Sequence, residues 1–311
     1  MQDPVAPPPE LPGGPRSPAK VALGLLVAMR PRQWVKNVLV GVAPVAAGEA
    51  FHFHVFLHTS VAFVAFCLAS SGTYLVNDVR DAAADRLHPT KARRPIAAGT
   101  VPARLATGTA VVLIAAGLGV AATVNWRLAL VVAIYLAESL TYSVVAKRWS
   151  VIELAFVASG FVLRAIAGGV ASNIPLSSWF LVVISFGALF VVTGKRLAEF
   201  HELGRGAGAH RSVLETYTRT FLESTLVLCA GVTVTGYCLW AFSVDRNGLG
   251  VHHDPLWIQL SVIPVVLAIL YVLLQLDDGR GGAPEDLVLK DRTVQVLGVL
   301  WALLVAIGVY R

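Results

Sequence analysis

Three carboxylates lie at helical spacing between residues 77 and 95. Asp78, Asp81 and Asp85 occupy positions i, i+3 and i+7, so a helix that continues through them presents all three on one face. Asn77 lies four residues before Asp81 and shares that face. Like charges at this spacing repel one another, and a bound cation removes the repulsion. Oxygen-only ligands suit Mg²⁺, or Mn²⁺ in its place, and Mg²⁺ usually shares its ligand shell with substrate phosphates. The spacing predicts a metal site at Asp78, Asp81 and Asp85.

A basic segment follows the acids. Pro89 and Pro95 break the helix, and Lys91, Arg93 and Arg94 lie between them. Acids that hold a metal, followed by bases that bind phosphate oxygens, are typical of a diphosphate site at a membrane surface. The alternative is a solvated charged loop between two membrane helices. Three acids on one face with a neighbouring asparagine favour the diphosphate site.

The composition indicates a polytopic membrane protein. The chain has 311 residues, of which 56% are hydrophobic and only 14% are charged. Soluble domains carry about 25% charged residues. The net charge of +6 therefore points to membrane topology and not to a nucleic-acid partner. Cys67, Cys229 and Cys238 all lie in apolar runs, without the spacing of a disulfide framework or a zinc site.

The chain divides into a tail and one membrane domain. Seven prolines and no apolar run occur in the first 20 residues, so residues 1–24 are predicted to be a disordered tail. Residues 25–311 are predicted to form an all-α transmembrane catalytic domain. Nine segments in it approach the roughly 20 apolar residues that a membrane helix needs. These segments are 33–48, 58–76, 103–124, 128–145, 151–170, 179–192, 220–242, 257–276 and 293–309.

Lysine and arginine predict the orientation. With the N-terminus in the cytoplasm, all 25 basic residues fall on the cytoplasmic side except Arg127, Arg164, Arg246 and Arg311. Cytoplasmic loops carry this excess in membrane proteins. The bias predicts a multi-pass protein of the plasma membrane with its C-terminus outside. It also places the acidic segment in the cytoplasm, where Mg²⁺ and phosphorylated metabolites are available.

Further candidate phosphate ligands lie on the cytoplasmic side. They are Arg32 and Lys36 before the first span, and Lys195 and Arg196 at the end of the sixth, with Glu199 beside them. Alternatives remain for each group. Trp34 and the bases around it are also typical of an interfacial anchor with positive-inside charges. Lys195 and Glu199 also have the spacing of a helix ion pair.

Four ionisable residues lie within predicted spans. Glu138, Glu153, Arg164 and Glu223 are functional candidates by default, because charged groups are expensive inside a bilayer. Structural pairing is favoured over catalysis for all four. Glu153 and Arg164 are 11 positions apart, too far for direct contact, so Arg164 is expected to pair with an acid on a neighbouring helix.

The acidic segment resembles a family motif. Asn-Asp-x-x-Asp-x-x-x-Asp after a membrane helix, followed by His-Pro-x-Lys-x-x-Arg-Pro-Ile, is similar to the first motif of the UbiA-type membrane prenyltransferases. With the nine spans, the resemblance covers roughly residues 25–311. It implies an all-helical bundle of nine helices around a central cavity open to the cytoplasm and to lipid.

One departure from the family pattern points to a branch within it. The second aspartate-rich motif after the sixth helix is replaced here by Gly-Lys-Arg-Leu-Ala-Glu at 194–199. That replacement, with Arg-Pro-Arg-Gln-Trp-Val-Lys-Asn at 30–37 and Pro-Glu-Asp from Pro284, is similar to the phosphoribosyltransferase branch of actinobacterial cell-wall synthesis. It implies transfer of 5-phosphoribosyl from phosphoribosyl diphosphate to decaprenyl or another polyprenyl phosphate, for arabinan precursors.

The resemblance also implies residue roles. Mg²⁺ on the aspartates neutralises the departing diphosphate, Lys91 and Arg94 bind its oxygens, and Asn77 orients a metal ligand or a ribose hydroxyl. The other phosphates are divided among Lys195, Arg196, Arg32 and Lys36, and Glu199 holds a ribose hydroxyl or a basic neighbour. Two alternatives stay open: a prenyltransferase that uses a prenyl diphosphate and an aromatic or other acceptor, and a lipid or ion transporter. A homo-oligomer is compatible with each.

Overall fold

The computed structural model describes residues 17–145, 149–204, 216–243, 254–277, 287–288 and 290–310. Every regular element in these ranges is a helix, as predicted. In chain order they are α1 Pro18–Ala28, α2 Val42–Ala46, α3 Phe53–Arg80, α4 Ala82–Arg86, α5 Ala103–Val124, α6 Trp126–Val144, α7 Ile152–Ser172, α8 Ser178–Gly204, α9 Arg219–Ser243, α10 Pro255–Leu260, α11 Val262–Asp277 and α12 Arg292–Tyr310. Two 3-10 helices, Pro31–Gly41 and Lys91–Arg93, complete them.

Eight helical segments in the described ranges are long and apolar enough to cross a membrane. They are α3, α5, α6, α7, Ser178–His201 within α8, α9, the pair α10–α11 (Pro255–Asp277) and α12. These correspond to the second to ninth predicted spans. Because each packs against the next in the chain, their directions alternate. The end of α3, the start of α7, the end of α8 and the start of α9 therefore lie at one end of the bundle.

The first predicted span, 33–48, is not a continuous α-helix. It folds as the 3-10 helix Pro31–Gly41 followed by the short α2, so the predicted count of nine membrane helices is not confirmed for the described residues. A 3-10 helix rises about 2.0 Å per residue, so this segment and α2 together extend about 30 Å, the thickness of the hydrocarbon core. Arg30 at one end contacts Asp78, and Phe51 beyond the other end packs 4.9 Å from the Tyr310 ring.

Close backbone packing accompanies the 3-10 segment. A Cβ atom placed on Gly168 of α7 would overlap the Val40 carbonyl oxygen and would lie 3.3 Å from the Pro44 ring. Only glycine allows the two backbones to approach this closely. Proline lacks the N–H that an α-helix requires in its interior, which disfavours a continuous α-helix through Pro44. Both features set the path of the segment across the bundle.

The N-terminal boundary differs from the predicted one. α1 begins at Pro18, which occupies the first helical turn, where its missing N–H costs nothing. Residues 18–24 of the predicted tail are therefore helical, and the predicted boundary at residue 24 falls inside α1. Residues 1–16 and the segment from Pro284 to residue 286 lie outside the described residues.

The core forms two main apolar clusters. One joins α3, α5, α6 and α7 around the fully buried Phe66 and Leu128. The other joins α7, α8, α9 and α11 around Leu222 and Leu276. α7 takes part in both, so it connects the two halves of the bundle. The polar residues with candidate roles lie at the ends of these packed helices.

Candidate active site

The acidic segment lies where α3 meets α4, with Asp81 between them. The Asp81 N–H donates to the Asn77 carbonyl oxygen at 2.9 Å, and the Asp85 N–H donates to the Asp81 carbonyl oxygen at 2.8 Å. The hydrogen-bond pattern of a helix therefore continues across the junction. Asp78 and Asp85 are both buried, and Asp81 is half-buried. The regular helix assignment pauses only at Asp81, and the two buried carboxylates lie close enough to share a partner.

That shared partner is Arg94. Its Nη1 donates to Asp85 Oδ2 at 2.7 Å and to Asp78 Oδ1 at 3.3 Å. A second guanidinium, that of Arg30, donates from Nη2 to the same Asp78 Oδ1 at 2.5 Å. The carboxylates are 4% and 6% exposed, whereas each arginine side chain is 31% exposed. Two buried anions are thus covered by two cations that remain accessible to a ligand.

Arg30 is a site residue that the sequence interpretation did not assign. Its backbone adopts φ 55°, in the left-handed region, where it links α1 to the 3-10 helix. The guanidinium carbon lies 4.9 Å from the centre of the Tyr74 ring, within the range of a cation–π interaction. A non-glycine residue in this conformation is uncommon. Its signal in the sequence is its place as the first residue of the Arg-Pro-Arg-Gln-Trp-Val-Lys-Asn segment at 30–37.

The oxygen donors of this segment fit a divalent cation. The Asn77 side-chain oxygen is buried and has no hydrogen-bond partner, and the buried Asp78 follows it directly in the chain. No group of three or more His, Cys, Asp or Glu side chains in the described part of the chain is arranged to hold a metal by itself. Mg²⁺ is commonly bound by one or two carboxylates together with substrate phosphates. The residues therefore fit an ion whose ligand shell a substrate completes.

A tight turn presents the basic residues after α4. His88 Nδ1 accepts from the backbone N–H groups of Thr90 at 3.3 Å and Lys91 at 3.4 Å. The Arg86 Nε–H donates to the Ala97 carbonyl oxygen at 3.1 Å, which ties α4 to the chain after the turn. Lys91 is half-buried and Arg93 is exposed.

A second polar group lies at the end of α8. The Arg196 Nε–H and Nη2–H donate to the two oxygens of Glu153 at 2.6 and 2.7 Å, and Nη1–H donates to Glu199 Oε2 at 2.7 Å. Arg196 was predicted to bind phosphate, but all three of its nitrogens contact carboxylates. The observed ion pair of Glu199 is with Arg196, and the alternative pair of Lys195 with Glu199 stays a prediction. Lys195 is half-buried.

The two basic residues predicted to bind phosphate before the first span, Arg32 and Lys36, lie in different environments. Arg32 is exposed, whereas the Lys36 ammonium lies 5.7 Å from the centre of the Phe161 ring on α7. Trp34 is half-buried and donates from Nε1 to Ser71 Oγ at 3.1 Å. Trp34 thus packs against α3. The structure brings Lys36, but not Arg32, to the bundle interior.

Arg164 has different partners from the predicted ones. Its Nε–H donates to Asn37 Oδ1 at 2.7 Å, Nη1–H to the Gly160 carbonyl oxygen at 2.5 Å and Nη2–H to the Tyr135 hydroxyl at 3.0 Å. These three acceptors are neutral, and Glu138 on the neighbouring α6 is an acid on which the Arg164 charge acts. The buried guanidinium therefore fastens the 3-10 segment to α6 and α7.

An apolar cavity of about 460 Å³ lies between the 3-10 segment, α2, α8, α9 and α12. Its lining consists of Val38, Gly41, Val42, Val45, Ala46, Phe180, Val183, Ile184, Tyr237, Trp240, Trp301 and Val305. Two of its aromatic residues satisfy each other's polar groups, since Trp301 Nε1–H donates to the Tyr237 hydroxyl at 2.8 Å. The cavity thus offers an almost wholly apolar surface.

The sequence profile of the UbiA prenyltransferase family matches residues 37–290, which include the acidic segment, Arg94 and the polar group at the end of α8. The chain belongs to this family. A UbiA homologue from Archaeoglobus fulgidus, solved with GPP and Mg²⁺ bound, has a TM-score of 0.67 and 18% identity over 92% of this chain and 98% of that one. At this identity the likeness shows the fold alone. Family membership and the eight apolar helices make the chain a multi-pass membrane protein.

More similar relatives carry a specific name. A decaprenyl-phosphate phosphoribosyltransferase from Mycobacterium tuberculosis is 48% identical over 288 residues, which cover 91% of this UbiA-family chain and 93% of the relative. One of the same name from Corynebacterium glutamicum is 44% identical over 297 residues, covering 94% and 89%. Both alignments span nearly the whole membrane domain.

Proposed function

We propose that this UbiA-family protein transfers the 5-phosphoribosyl group of phosphoribosyl diphosphate to decaprenyl phosphate or another polyprenyl phosphate, with release of diphosphate, for arabinan cell-wall precursors. The observation that carries this proposal is the 48% identity, over 91% of the chain, to a relative named decaprenyl-phosphate phosphoribosyltransferase. The geometry supports it, because cationic groups occur in two separate places at one end of the bundle. A donor with two anionic ends requires such a division.

The reaction is a displacement at ribose C1. An oxygen of the lipid phosphate attacks C1, the bond from C1 to the diphosphate oxygen breaks, and diphosphate leaves with the bonding electrons. The second pKa of a phosphate monoester is near 6, so the nucleophile is already anionic at neutral pH. No strong general base is required. Catalysis therefore rests on positioning and on stabilisation of the departing charge.

We assign the divalent cation to Asp78 and Asp85, with Asn77 and Asp81 beside them. Bound there, Mg²⁺ or Mn²⁺ supplies a positive charge that offsets the charge on the departing diphosphate. The orphaned Asn77 oxygen and the two buried carboxylates support this assignment. Asp78, Asp81 and Asp85 are the proposed catalytic residues.

We assign different basic residues to the different phosphate groups of the two substrates. Lys91, Arg94 and Arg30 bind the diphosphate, since both arginines contact the Asp78 carboxylate and are partly exposed. Lys195 binds the 5-phosphate and Glu199 accepts from a ribose hydroxyl through its second oxygen. Arg32 and Lys36 bind the lipid phosphate, since they directly precede the cavity-lining residues of the 3-10 segment in the chain.

The apolar cavity supports a polyprenyl acceptor. Its residues Val38 and Val42 follow Lys36 within two helical turns, so a phosphate bound at Lys36 places a lipid tail at the entrance to the apolar lining. Burial of hydrocarbon contributes about 0.8 kcal/mol per CH₂ group, so even a few isoprene units there give substantial binding energy. The catalytic domain, residues 25–311, thus handles an anionic head and an apolar tail.

The proposed site lies on the cytoplasmic side of the plasma membrane. This orientation rests on the concentration of lysine and arginine in the segments that connect α3 to α5, α6 to α7 and α8 to α9. Phosphorylated metabolites and Mg²⁺ are supplied from that side.

Purified protein in detergent, incubated with phosphoribosyl diphosphate, decaprenyl phosphate and Mg²⁺, tests the proposal. We expect a phosphoribosyl lipid and stoichiometric diphosphate. If a prenyl diphosphate and an aromatic acceptor react instead, the chain is a prenyltransferase. If no covalent product forms with either pair and a reconstituted flux of lipid or ions appears, the chain is a transporter.

The donor specificity is tested by Lys195→Ala. Loss of a charged hydrogen bond costs about 1.5–3 kcal/mol, or about 10- to 150-fold in kcat/KM. We expect that loss with phosphoribosyl diphosphate and a much smaller one with ribose 1-diphosphate, which lacks the 5-phosphate. Equal losses with both donors contradict the assignment of Lys195 to the 5-phosphate.

A further inference from the structure

The ion pair between Glu153 and Arg196 is almost completely buried. The Arg196 side chain is 4% exposed and that of Glu153 is 3% exposed. Their two parallel contacts, at 2.6 and 2.7 Å, have the bidentate geometry of a strong guanidinium–carboxylate pair. Breaking such a pair leaves an uncompensated buried charge. The pair is therefore a fixed part of the cytoplasmic end of α7 and α8.

The charge of this group argues against phosphate binding by Arg196. One guanidinium faces two carboxylates, those of Glu153 and Glu199, so the three side chains carry one net negative charge. A phosphate that approached Arg196 would meet that negative charge and would have to displace a buried carboxylate. Glu199, in contrast, is 26% exposed, and only one of its oxygens is held by Arg196. Its other oxygen is the part of the group that a substrate can reach.

The start of α7 holds Glu153 in place. Val151, directly before α7, has φ 68°, a strained conformation for a β-branched residue. Its N–H donates to the Tyr217 hydroxyl at 2.7 Å. Burial, and to a smaller extent the Glu153 carboxylate, raise the pKa of Tyr217, against the lowering effect of the Val151 N–H, so the hydroxyl stays protonated at neutral pH. The contacts join the start of α7, the end of α8 and the residues before α9.

We propose that Glu153 is a positioning residue that acts through Arg196 to fix the Glu199 carboxylate against the sugar donor, and that Arg196 is not a phosphate ligand. This inference rests on the proposed function, since it names the residues that hold the sugar end of that donor. It assigns a role to a buried acid 46 positions before Glu199, which acts through Arg196 and not on the substrate itself.

A double-mutant cycle in kcat/KM tests the proposal, with the variants Glu153→Gln, Arg196→Met and the combination of both. We expect each single variant to raise the donor KM and to lower kcat/KM by about 10- to 100-fold, because either one releases Glu199 from its position. The double variant should lose no more than the worse single variant, because both changes break the same contact. Thermal unfolding should show the double variant to be more stable than Arg196→Met, which leaves Glu153 unpaired.

Two donors separate positioning from phosphate binding. Each variant should lose the same factor with phosphoribosyl diphosphate and with ribose 1-diphosphate, because a ribose hydroxyl is present in both. If Arg196→Met loses at least tenfold more with the 5-phosphate than without it, Arg196 is a phosphate ligand and the proposal is overturned. An unchanged donor KM and kcat in Glu153→Gln overturns it as well.

Controls keep the test decisive. Arg219→Met removes an ion pair with Glu223 at the same end of the bundle, but its side chain is 54% exposed, so kcat/KM should stay unchanged. If Arg196→Met fails to fold, Arg196→Lys preserves the charge without the bidentate geometry and should show the same donor-independent loss. Failure of the wild type to form the phosphoribosyl lipid would instead refute the proposed function, before any variant is compared.

Discussion

Replacement of Arg94 by methionine should separate the two roles of Asp78 and Asp85, which are ion pairing with Arg94 and binding of Mg²⁺. Methionine keeps most of the side-chain length but removes the guanidinium that contacts Asp78 and Asp85. Asp78 retains Arg30, whereas Arg94 is the only ion-pair partner that the described residues give Asp85. We expect the variant to be less stable and less active, yet to bind Mg²⁺ more tightly, because the ion no longer competes with Arg94 for the carboxylates.

The magnitudes follow from the exposure of the pair. Breaking a fully buried ion pair costs about 3–5 kcal/mol, and the 31% exposure of Arg94 reduces that to about 1–3 kcal/mol of stability. Loss of a charged hydrogen bond to the diphosphate lowers kcat/KM by about 10- to 150-fold. Mg²⁺ should offset part of the stability loss, in proportion to the logarithm of its concentration over the dissociation constant.

Thermal unfolding in detergent across a Mg²⁺ titration, together with steady-state kinetics, measures these effects. The Mg²⁺ concentration at half-maximal stabilisation should be lower for Arg94→Met than for the wild type. The control variant Arg93→Met, at an exposed neighbouring position, should show neither the loss of stability and activity nor the tighter Mg²⁺ binding. If Mg²⁺ stabilises Arg94→Met less than the wild type, Arg94 does not compete with the ion and our assignment of the carboxylates is refuted.

Three further predictions concern the metal, the topology and the packing. Asp78→Ala and Asp81→Ala should each cut turnover by about 10³-fold, the size of effect seen when a key electrostatic group is removed. Excess EDTA should abolish the turnover of the wild type, and full activity in EDTA contradicts the metal site. A cysteine at Thr90, in a variant without native cysteines, should resist an impermeant thiol reagent in intact cells, and labelling from outside overturns the orientation. Gly168→Ala should destabilise the protein by about 1–3 kcal/mol because its Cβ meets the 3-10 backbone, whereas Gly108→Ala, with nothing within 4 Å, should be neutral or slightly stabilising in thermal unfolding.

The membrane spans and the acidic segment were predictable because their signals are local. A run of apolar residues long enough to cross a bilayer is visible in the sequence, and eight such helices occur near the predicted positions. The spacing of Asp78 and Asp85 predicted a shared face, and they contact Arg94 across only sixteen and nine positions, respectively. The family motif added residue types at the same local spacing.

The first span illustrates a limit of periodicity. Its apolar content predicted a membrane helix over 33–48, but its backbone is a 3-10 helix followed by a short α-helix. Hydrophobicity sets whether a segment enters the bundle, and the packing of Gly168 against Val40 accompanies the particular backbone that it adopts there. That contact joins residues far apart in the chain, so no local pattern contains it.

The partners of the buried arginines were decided by tertiary structure alone. Arg196 lies beside Lys195 in the sequence and looked like a second phosphate ligand, yet it pairs with Glu153, 43 positions away. Arg164 was expected to meet an acid and instead meets Asn37, 127 positions away. The sequence by itself determined that these charges require partners, because an unpaired charge in the bundle is costly. Only helix packing determined which partner each one has, because the donors of a guanidinium are satisfied by whichever acceptors the neighbouring helices bring within 3 Å.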